Sequence, residues 1–124
     1  VASAAAIAVL DIYEREDLVG NSARMGAYMK ERLEKMAEVC PHLGDVRGMG
    51  LVMGLEFVRD KQAKEPAPEL TRPLIENCAN EGLLIGAVGT HGNVIRVAPP
   101  LVINREEADE SLAIMERVLG TLNL

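Results

Sequence analysis

Residues 44–58 read GDVRGMGLVMGLEFV, and this stretch decides the fold class. From Leu51 to Phe57 every second residue is large and apolar, which is the period of a strand with one apolar face. Glycines at positions 44, 48 and 50 precede this run and predict a tight turn or a bulge at its approach. We therefore expect one strand within residues 44–58.

Two helical patterns precede this strand. Residues 1–16 are rich in alanine and predict a first helix. Residues 17–39 predict a second helix, which Pro41 ends. Four apolar residues recur along it at helical spacing and form one stripe: Met25, Met29, Leu33 and Met36.

The second half of the chain predicts one more helix and two short strands before the last helix. The third helix is expected to begin near Thr71, with Pro73 in its first turn, or to be kinked at Pro73. Gly82 is expected to end it as the residue after the C-cap. Strands are predicted at 83–85 and 94–97, and they are separated by a flexible glycine-rich loop at 86–92.

The last helix carries the clearest signals. Asn104 is a natural N-cap, and Glu107 three residues later completes a variant of the capping box. Gly120 is expected to end the helix. Its apolar stripe consists of Ala108, Leu112, Met115 and Leu119.

These elements predict an α+β fold, with a small, mainly antiparallel sheet of three to four strands covered by helices. The connections between the last strands are short, and short connections favour antiparallel pairing.

Composition excludes several classes of partner. The net charge of −6 argues against a protein that binds nucleic acid through its phosphates. The longest apolar stretch, Val1 to Leu10, is too short to span a membrane and lacks the positive region of a signal peptide. Cys40 and Cys78 are too few for a disulfide framework and predict two reduced thiols in a cytoplasmic protein.

Most residues that could carry chemistry have a simpler interpretation. The chain has neither a phosphate-binding loop of the G-x-x-x-x-G-K-[ST] type nor an H-E-x-x-H motif. His42 and His91 are far apart in sequence, and no metal site is expected from them. The four lysines lie in polar surroundings and are expected on the surface: Lys30, Lys35, Lys61 and Lys64.

Arg96 is the exception. It lies within the short apolar run 94–98 and shares a strand face with Val94. Such an arginine is either a charge on an edge strand, held in a structural ion pair, or an anchor for an anion behind the glycine-rich loop. The second interpretation has a clear physical basis, since a planar guanidinium grips a carboxylate through two parallel hydrogen bonds.

Four segments resemble the C-terminal domain of class III pyridoxal-phosphate aminotransferases, which belong to the fold-type I enzymes. They are GDVRGMGL at 44–51, GLE at 54–56, EGLL at 81–84 and GNVIRVAPPL at 92–101. The first residues, Val1 to Asp11, resemble the helix that follows the large domain of this family. The similarity covers the whole chain in the right order.

The resemblance implies an enzyme that moves an amino group from an amine or amino acid to a 2-oxo acid with pyridoxal phosphate. Arg96 matches the family arginine that binds the substrate carboxylate. The lysine that forms the aldimine belongs to the large domain, so the resemblance implies that this chain alone binds no cofactor and is inactive. It also implies a connecting or large-domain helix at 1–16, a small domain at 17–124, and a homodimeric parent enzyme.

The substrate remains open at this point. The run KEPAP at 64–68 resembles the 4-aminobutyrate, alanine–glyoxylate and decarboxylase branches, and we take a 4-aminobutyrate-like donor as the first expectation. THG at 90–92 is more similar to the ornithine branch. Two other functions stay possible: a stand-alone α+β ligand-binding or regulatory module, with Arg96 in a pocket of its own, and a purely structural interaction domain.

Overall fold

The computed structural model describes residues 1–122. Residues 1–122 form four helices and four strands, in this order: α1 (Ala2–Arg15), α2 (Leu18–Val39), β1 (Leu43–Met49), β2 (Val52–Phe57), α3 (Pro68–Asn80), β3 (Gly86–Val88), β4 (Val94–Val97) and α4 (Arg105–Thr121). The strands form one antiparallel sheet with the order β1-β2-β4-β3. The predicted α+β class is confirmed, with four strands.

The two N-terminal helices differ in how they are held. Helix α1 buries none of its residues, and its main contacts are with α2. Asp17 takes a left-handed conformation at φ 48° and separates the two helices. The predicted stripe of α2 is confirmed: Met29, Leu33 and Met36 are buried, and Met25 packs against the core.

The prediction of a single strand at 44–58 was wrong, because this stretch forms a hairpin of two strands. β1 and β2 pair antiparallel from Leu43↔Phe57 to Met49↔Val52, with the expected turn at Gly50 and Leu51 and a bulge near Gly44. Only the second strand has a clean apolar alternation, since β1 is mostly exposed. β1 is therefore a strand mainly because it pairs with β2, and not because its own side chains alternate.

Helix α3 begins three residues earlier than expected. Pro68 occupies the first helical position, so Pro73 lies in the interior of the helix and not in its first turn. The prediction for Gly82 is confirmed: it has φ 93°, and the Leu83 amide donates to the carbonyl of Cys78 at 2.8 Å, as in a Schellman motif.

The strand predicted at 83–85 lies three residues later in the chain, at Gly86–Val88. The apolar residues Leu83 and Ile85 pack against the core without joining the sheet. The predicted strand at 94–97 is confirmed as β4, between β2 and β3. The loop between β3 and β4 is accordingly shorter than expected and covers residues 89–93.

Helix α4 has the predicted capping box. The Asn104 side chain accepts from the Glu107 amide at 2.9 Å, and the Glu107 carboxylate accepts from the Asn104 amide at 3.0 Å. Its predicted stripe is buried. The helix continues through Gly120 to Thr121, one residue beyond the expected end.

Helices α2, α3 and α4 cover one face of the sheet. The strand residues on that face include Met53, Leu55, Ile95 and Val97, all buried. The alternate residues point to the other face, which is largely exposed. Among the residues described, no helix is both long and apolar enough to cross a membrane.

Candidate functional site

Arg96 lies on the uncovered face of the sheet, in the middle of strand β4. Its neighbours Ile95 and Val97 point into the core, and its own side chain is exposed, on the same face as Val94. Because β4 pairs with β2 on one side and with β3 on the other, Arg96 is not on an edge strand. The interpretation of Arg96 as an edge-strand charge is therefore wrong.

Glycines flank Arg96 on both neighbouring strands. The register places Gly54 of β2 opposite Arg96 on one side and Gly86 of β3 opposite it on the other. A side chain on either glycine would stand directly beside the arginine, since facing residues on one sheet face have Cβ atoms only about 5 Å apart. Arg96 therefore has no side chain directly opposite it on either neighbouring strand.

Arg96 is also the one arginine without a carboxylate within ion-pair distance among residues 1–122. The other eight arginines each pair with at least one acidic side chain: Arg15, Arg24, Arg32, Arg47, Arg59, Arg72, Arg105 and Arg117. Within the described part of the chain, Arg96 thus has no partner with which to form a structural ion pair.

A second arginine on the same face, Arg47, forms ion pairs with two carboxylates. Its Nη1 atom lies 2.6 Å from Asp45 Oδ2 and 2.5 Å from Glu56 Oε2. Hydrogen bonds from Arg47 to these carboxylates raise the pKa of its guanidinium above the usual value. Sequence reasoning missed this cluster, because its three members come together only through the strand register.

The loop before β4 is held by two buried polar residues. The Thr71 hydroxyl on α3 lies 2.9 Å from the carbonyls of both Pro68 and Gly92. The Asn93 side chain donates to the carbonyl of Phe57 at 2.9 Å, and the Phe57 amide donates back to the Asn93 carbonyl at 2.8 Å. These bonds fix the chain entering β4 only three residues before Arg96. Thr71 falls at helical spacing with Leu74 and Cys78, and that spacing was the available signal for its burial.

Arg96 also borders a cleft of about 570 Å³. Its walls are the segment 83–88, the segment 96–100, and apolar side chains of α2 and α4 such as Met29 and Met115. The lining is mainly apolar, and Arg96 contributes to it from β4, although its side chain points to the opposite, uncovered face of the sheet. An apolar space with few charged groups is the usual character of a site for a small ligand.

The remaining reactive groups do not join Arg96. Lys30 and Lys35 pair with Glu34 and Glu31 on the surface of α2, and Lys61 donates to the carbonyl of Ala37. The fourth lysine, Lys64, is exposed in the loop 59–67. The described residues contain no cluster of three or more His, Cys, Asp or Glu side chains suited to a metal ion.

The two histidines and two cysteines have structural surroundings. His42 Nδ1 lies 3.2 Å from the carbonyl of Val58, and His91 is exposed in the loop before β4. Cys40 and Cys78 are buried and free. Burial, together with the Glu81 carboxylate, raises the pKa of the Cys78 thiol from 9.0 to about 11, so this thiol is a poor nucleophile at neutral pH.

Comparison with known proteins supports a single family. Residues 1–119 match the family described as aminotransferase class-III. One relative, alanine–glyoxylate aminotransferase 2 homolog 2, mitochondrial, from Arabidopsis thaliana, is 41% identical over 109 residues. That alignment covers 88% of this chain and 23% of the relative, so the chain spans about a quarter of the relative's length.

Solved structures agree with the sequence match. A phospholyase from Arthrobacter in complex with phosphoethanolamine superposes with a TM-score of 0.90 at 41% identity, over 96% of this chain and 28% of that one. An amine transaminase from an uncultivated Pseudomonas species, in its pyridoxal-phosphate-bound form, gives a TM-score of 0.85 at 37% identity, over 95% and 27% of the two chains. The family match, these identities and the shared fold agree, and the chain belongs to the class III aminotransferase family.

Proposed function

We propose that this chain is the C-terminal small domain of an aminotransferase that moves an amino group from an amine or amino acid to a 2-oxo acid. Within it, residues 17–124 form the small domain and residues 1–16 form a helix that connects to, or ends, a large domain. The family match and the coverage of about a quarter of a relative's length support this assignment. The absence of buried residues in α1 supports its role as a connection.

One observation carries the proposed role of Arg96. It is an arginine on a central strand, between two glycines, with no acidic partner among residues 1–122. A guanidinium in that position has its fork of N–H donors free for a planar anion. We propose that it binds the substrate carboxylate and so orients the amino group towards the reacting centre.

Class III aminotransferases depend on pyridoxal phosphate, which supplies the electron sink for amino-group transfer. The residues described here do not fit a covalent site for that cofactor. Lys30, Lys35 and Lys61 are engaged on the surface, Lys64 is in an exposed loop, and none of the four lines the cleft beside Arg96. We therefore assign the cofactor lysine to the proposed large domain and expect the 124-residue chain to be inactive alone.

The donor that we propose is 4-aminobutyrate-like, on the basis of KEPAP at 64–68. The printed names of similar proteins include an alanine–glyoxylate aminotransferase and a phospholyase, so the same fold accompanies more than one reaction. An amino-donor screen on the full-length enzyme tests this choice. Faster turnover of a 2-amino acid than of any donor with a terminal amine would contradict it.

A second candidate, a ligand-binding module that works without a large domain, is favoured by the cleft beside Arg96. That cleft is formed by this chain alone. Calorimetric titration of the 124-residue protein with 4-aminobutyrate and 2-oxoglutarate separates the two candidates. Binding that Arg96→Leu abolishes would favour the module, and the aminotransferase proposal predicts none.

The parent enzyme is further proposed to be a cytoplasmic homodimer. The two buried, unpaired thiols, Cys40 and Cys78, support a reducing compartment. The Arabidopsis relative is named as mitochondrial, so import of a tagged parent into mitochondria would replace this part of the proposal.

The central experiment is replacement of Arg96 in the full-length enzyme. Arg96→Leu is expected to lower kcat/KM for carboxylate substrates by roughly 30- to 1000-fold, the loss of a bidentate pair of roughly 2–4 kcal/mol. Amines without a carboxylate should be affected far less. Arg96→Lys should restore little, because an ammonium keeps the charge and loses the fork.

Thermal midpoints of the parent and both variants control for misfolding, since Arg96 is in a strand. Equal losses for carboxylate substrates and simple amines would make Arg96 a structural residue.

A further inference from the structure

The uncovered face of the sheet carries two rows of residues in register. One row runs across all four strands as Arg47, Gly54, Arg96 and Gly86. The neighbouring row runs as Asp45, Glu56, Val94 and Val88. The two arginines therefore lie two strands apart, with only the hydrogen atom of Gly54 between them.

Glu56 stands diagonally between both arginines. It faces Asp45 on β1 and Val94 on β4, and it is two residues along β2 from Gly54, which faces Arg47 and Arg96. Diagonal neighbours on one sheet face are about 7–8 Å apart, a distance that long side chains bridge. The carboxylate of Glu56 can thus reach either guanidinium.

In the structure the Glu56 carboxylate forms an ion pair with Arg47. The Glu56 carboxylate lies 2.5 Å from Arg47 Nη1, and Asp45 binds the same atom from the side of β1. The Glu56 side chain is 30% exposed, compared with 53% for Arg47, so it is partly covered where it is held. Asp45 is shorter and lies one strand further from Arg96, which leaves Glu56 as the nearest competitor for Arg96.

We propose that Arg47 is a positioning residue that keeps Arg96 available, because it holds the Glu56 carboxylate away from the anion site. This inference rests on the proposed role of Arg96 in binding the substrate carboxylate. Without Arg47, Glu56 turns to Arg96 and occupies the same N–H donors that a substrate carboxylate needs. Arg47 then sets the specificity for carboxylate substrates without touching them.

The test is Arg47→Met in the full-length enzyme, compared with Arg47→Met/Glu56→Gln. The ratio of kcat/KM for a carboxylate substrate to that for a simple amine should fall about three- to fivefold in the single variant, as expected for competition by an exposed ion pair. The change should appear in KM and not in kcat, since an excess of substrate displaces Glu56. The double variant should return the ratio to the parent value, because glutamine has no charge to offer Arg96.

A crystal structure of the Arg47→Met enzyme gives a readout that does not depend on turnover. Glu56 is expected within 4 Å of the Arg96 guanidinium. Should Arg47→Met not accumulate as folded protein, Arg47→Gln takes its place, because its polar head is better solvated on this exposed face. An unaltered ratio in the single variant, or a double variant that stays low, would overturn the inference.

Arg96→Leu in the same series separates this inference from the proposed function. If Arg96→Leu abolishes the preference for carboxylates and Arg47→Met does not alter it, the positioning role of Arg47 fails and the proposed function stands. If Arg96→Leu leaves the preference intact, both fail.

Discussion

Gly26 of helix α2 lies directly against the carbonyl group of Gly50, in the turn of the β1–β2 hairpin. A Cβ atom at position 26 would come within 2.2 Å of that oxygen. The Leu51 amide in the same turn donates to Ser22 Oγ on α2 at 3.2 Å. The hairpin that carries Arg47, Gly54 and Glu56 is thus fixed to α2 at its turn.

Replacing Gly26 with alanine should separate α2 from the hairpin. The backbone of Gly50 must move to admit a methyl group, and we expect a loss of about 1–3 kcal/mol in the free energy of unfolding, as for overpacked cores. Gly120→Ala on α4 is the matched control, because nothing lies within 4 Å of a Cβ there. Urea denaturation measures both variants, and a Gly26→Ala protein as stable as the control would show that the contact is not tight.

Asn104→Ala should weaken the start of α4. It removes the acceptor for the Glu107 amide, and the loss of an N-cap of this type costs about 1 kcal/mol. Asn104→Ser keeps a capping oxygen and should lose less than half as much. The measurement is the thermal midpoint at neutral pH, and equal midpoints for the two variants would argue against the capping box as a source of stability.

The stability of the protein should fall as the pH rises from about 9 to about 11. The pKa of Cys78 is raised to about 11 by burial, whereas the unfolded thiol ionises near 9.0. In this window the folded state keeps a proton that the unfolded state has lost, so the free energy of unfolding declines with pH. Below pH 9 both states are protonated, and this contribution is constant.

Cys78→Ala isolates this contribution from other groups that titrate in alkali. The variant should be less stable at pH 8, because a cavity replaces the thiol, and its stability should decline less steeply above pH 9. Urea denaturation series at pH 8, 9, 10 and 10.5 give the two slopes. Parallel curves for parent and variant would remove Cys78 as the cause.

Helix α1 should exchange its amide hydrogens faster than α2 in a monomeric sample of this chain. None of its residues is buried, and exposed apolar side chains such as Ile7, Val9 and Leu10 find no cover within residues 1–122. Helices without tertiary packing are marginal in water. Hydrogen exchange read by mass spectrometry compares the two helices, and equal protection of α1 and α2 would count against this expectation.

The helices could be predicted because the residues that specify them lie close together in the sequence. The stripes of α2 and α4 and the capping box at Asn104 depend on residues within one or two turns of each other. The start of α3 was missed because Pro68 was assigned to the preceding loop, although proline is well suited to a first helical position.

The strands were harder to predict, because partners far away in sequence define them. β1 contains glycines and charged residues, and β3 is Gly-Ala-Val with every residue exposed. Neither has an alternating apolar pattern, so the hydrogen bonds to β2 and β4 decide their extent. The segment 83–85 is more apolar and was therefore predicted as the strand, but Leu83 and Ile85 pack against the core and Leu84 is exposed.

The candidate site was half predictable for the same reason. Alternation alone placed Arg96 on a face with Val94, and the structure confirms this. The central place of β4, the flanking glycines and the Arg47–Glu56 pair all depend on register between strands. No pattern within β4 itself contains that information.

Gly54 and Gly86 differ in how much space there is for a side chain at each position beside Arg96. A Cβ at Gly54 would lie 3.2 Å from Val94 Cγ1, whereas a Cβ at Gly86 meets nothing within 4 Å, and Gly86 has an ordinary backbone conformation. Strand β3 can therefore accept a larger side chain at position 86 without any rearrangement of the interior. A single substitution at Gly86 would narrow the space around the Arg96 guanidinium, so the size of the anion that the proposed site accepts could change without a change in the fold.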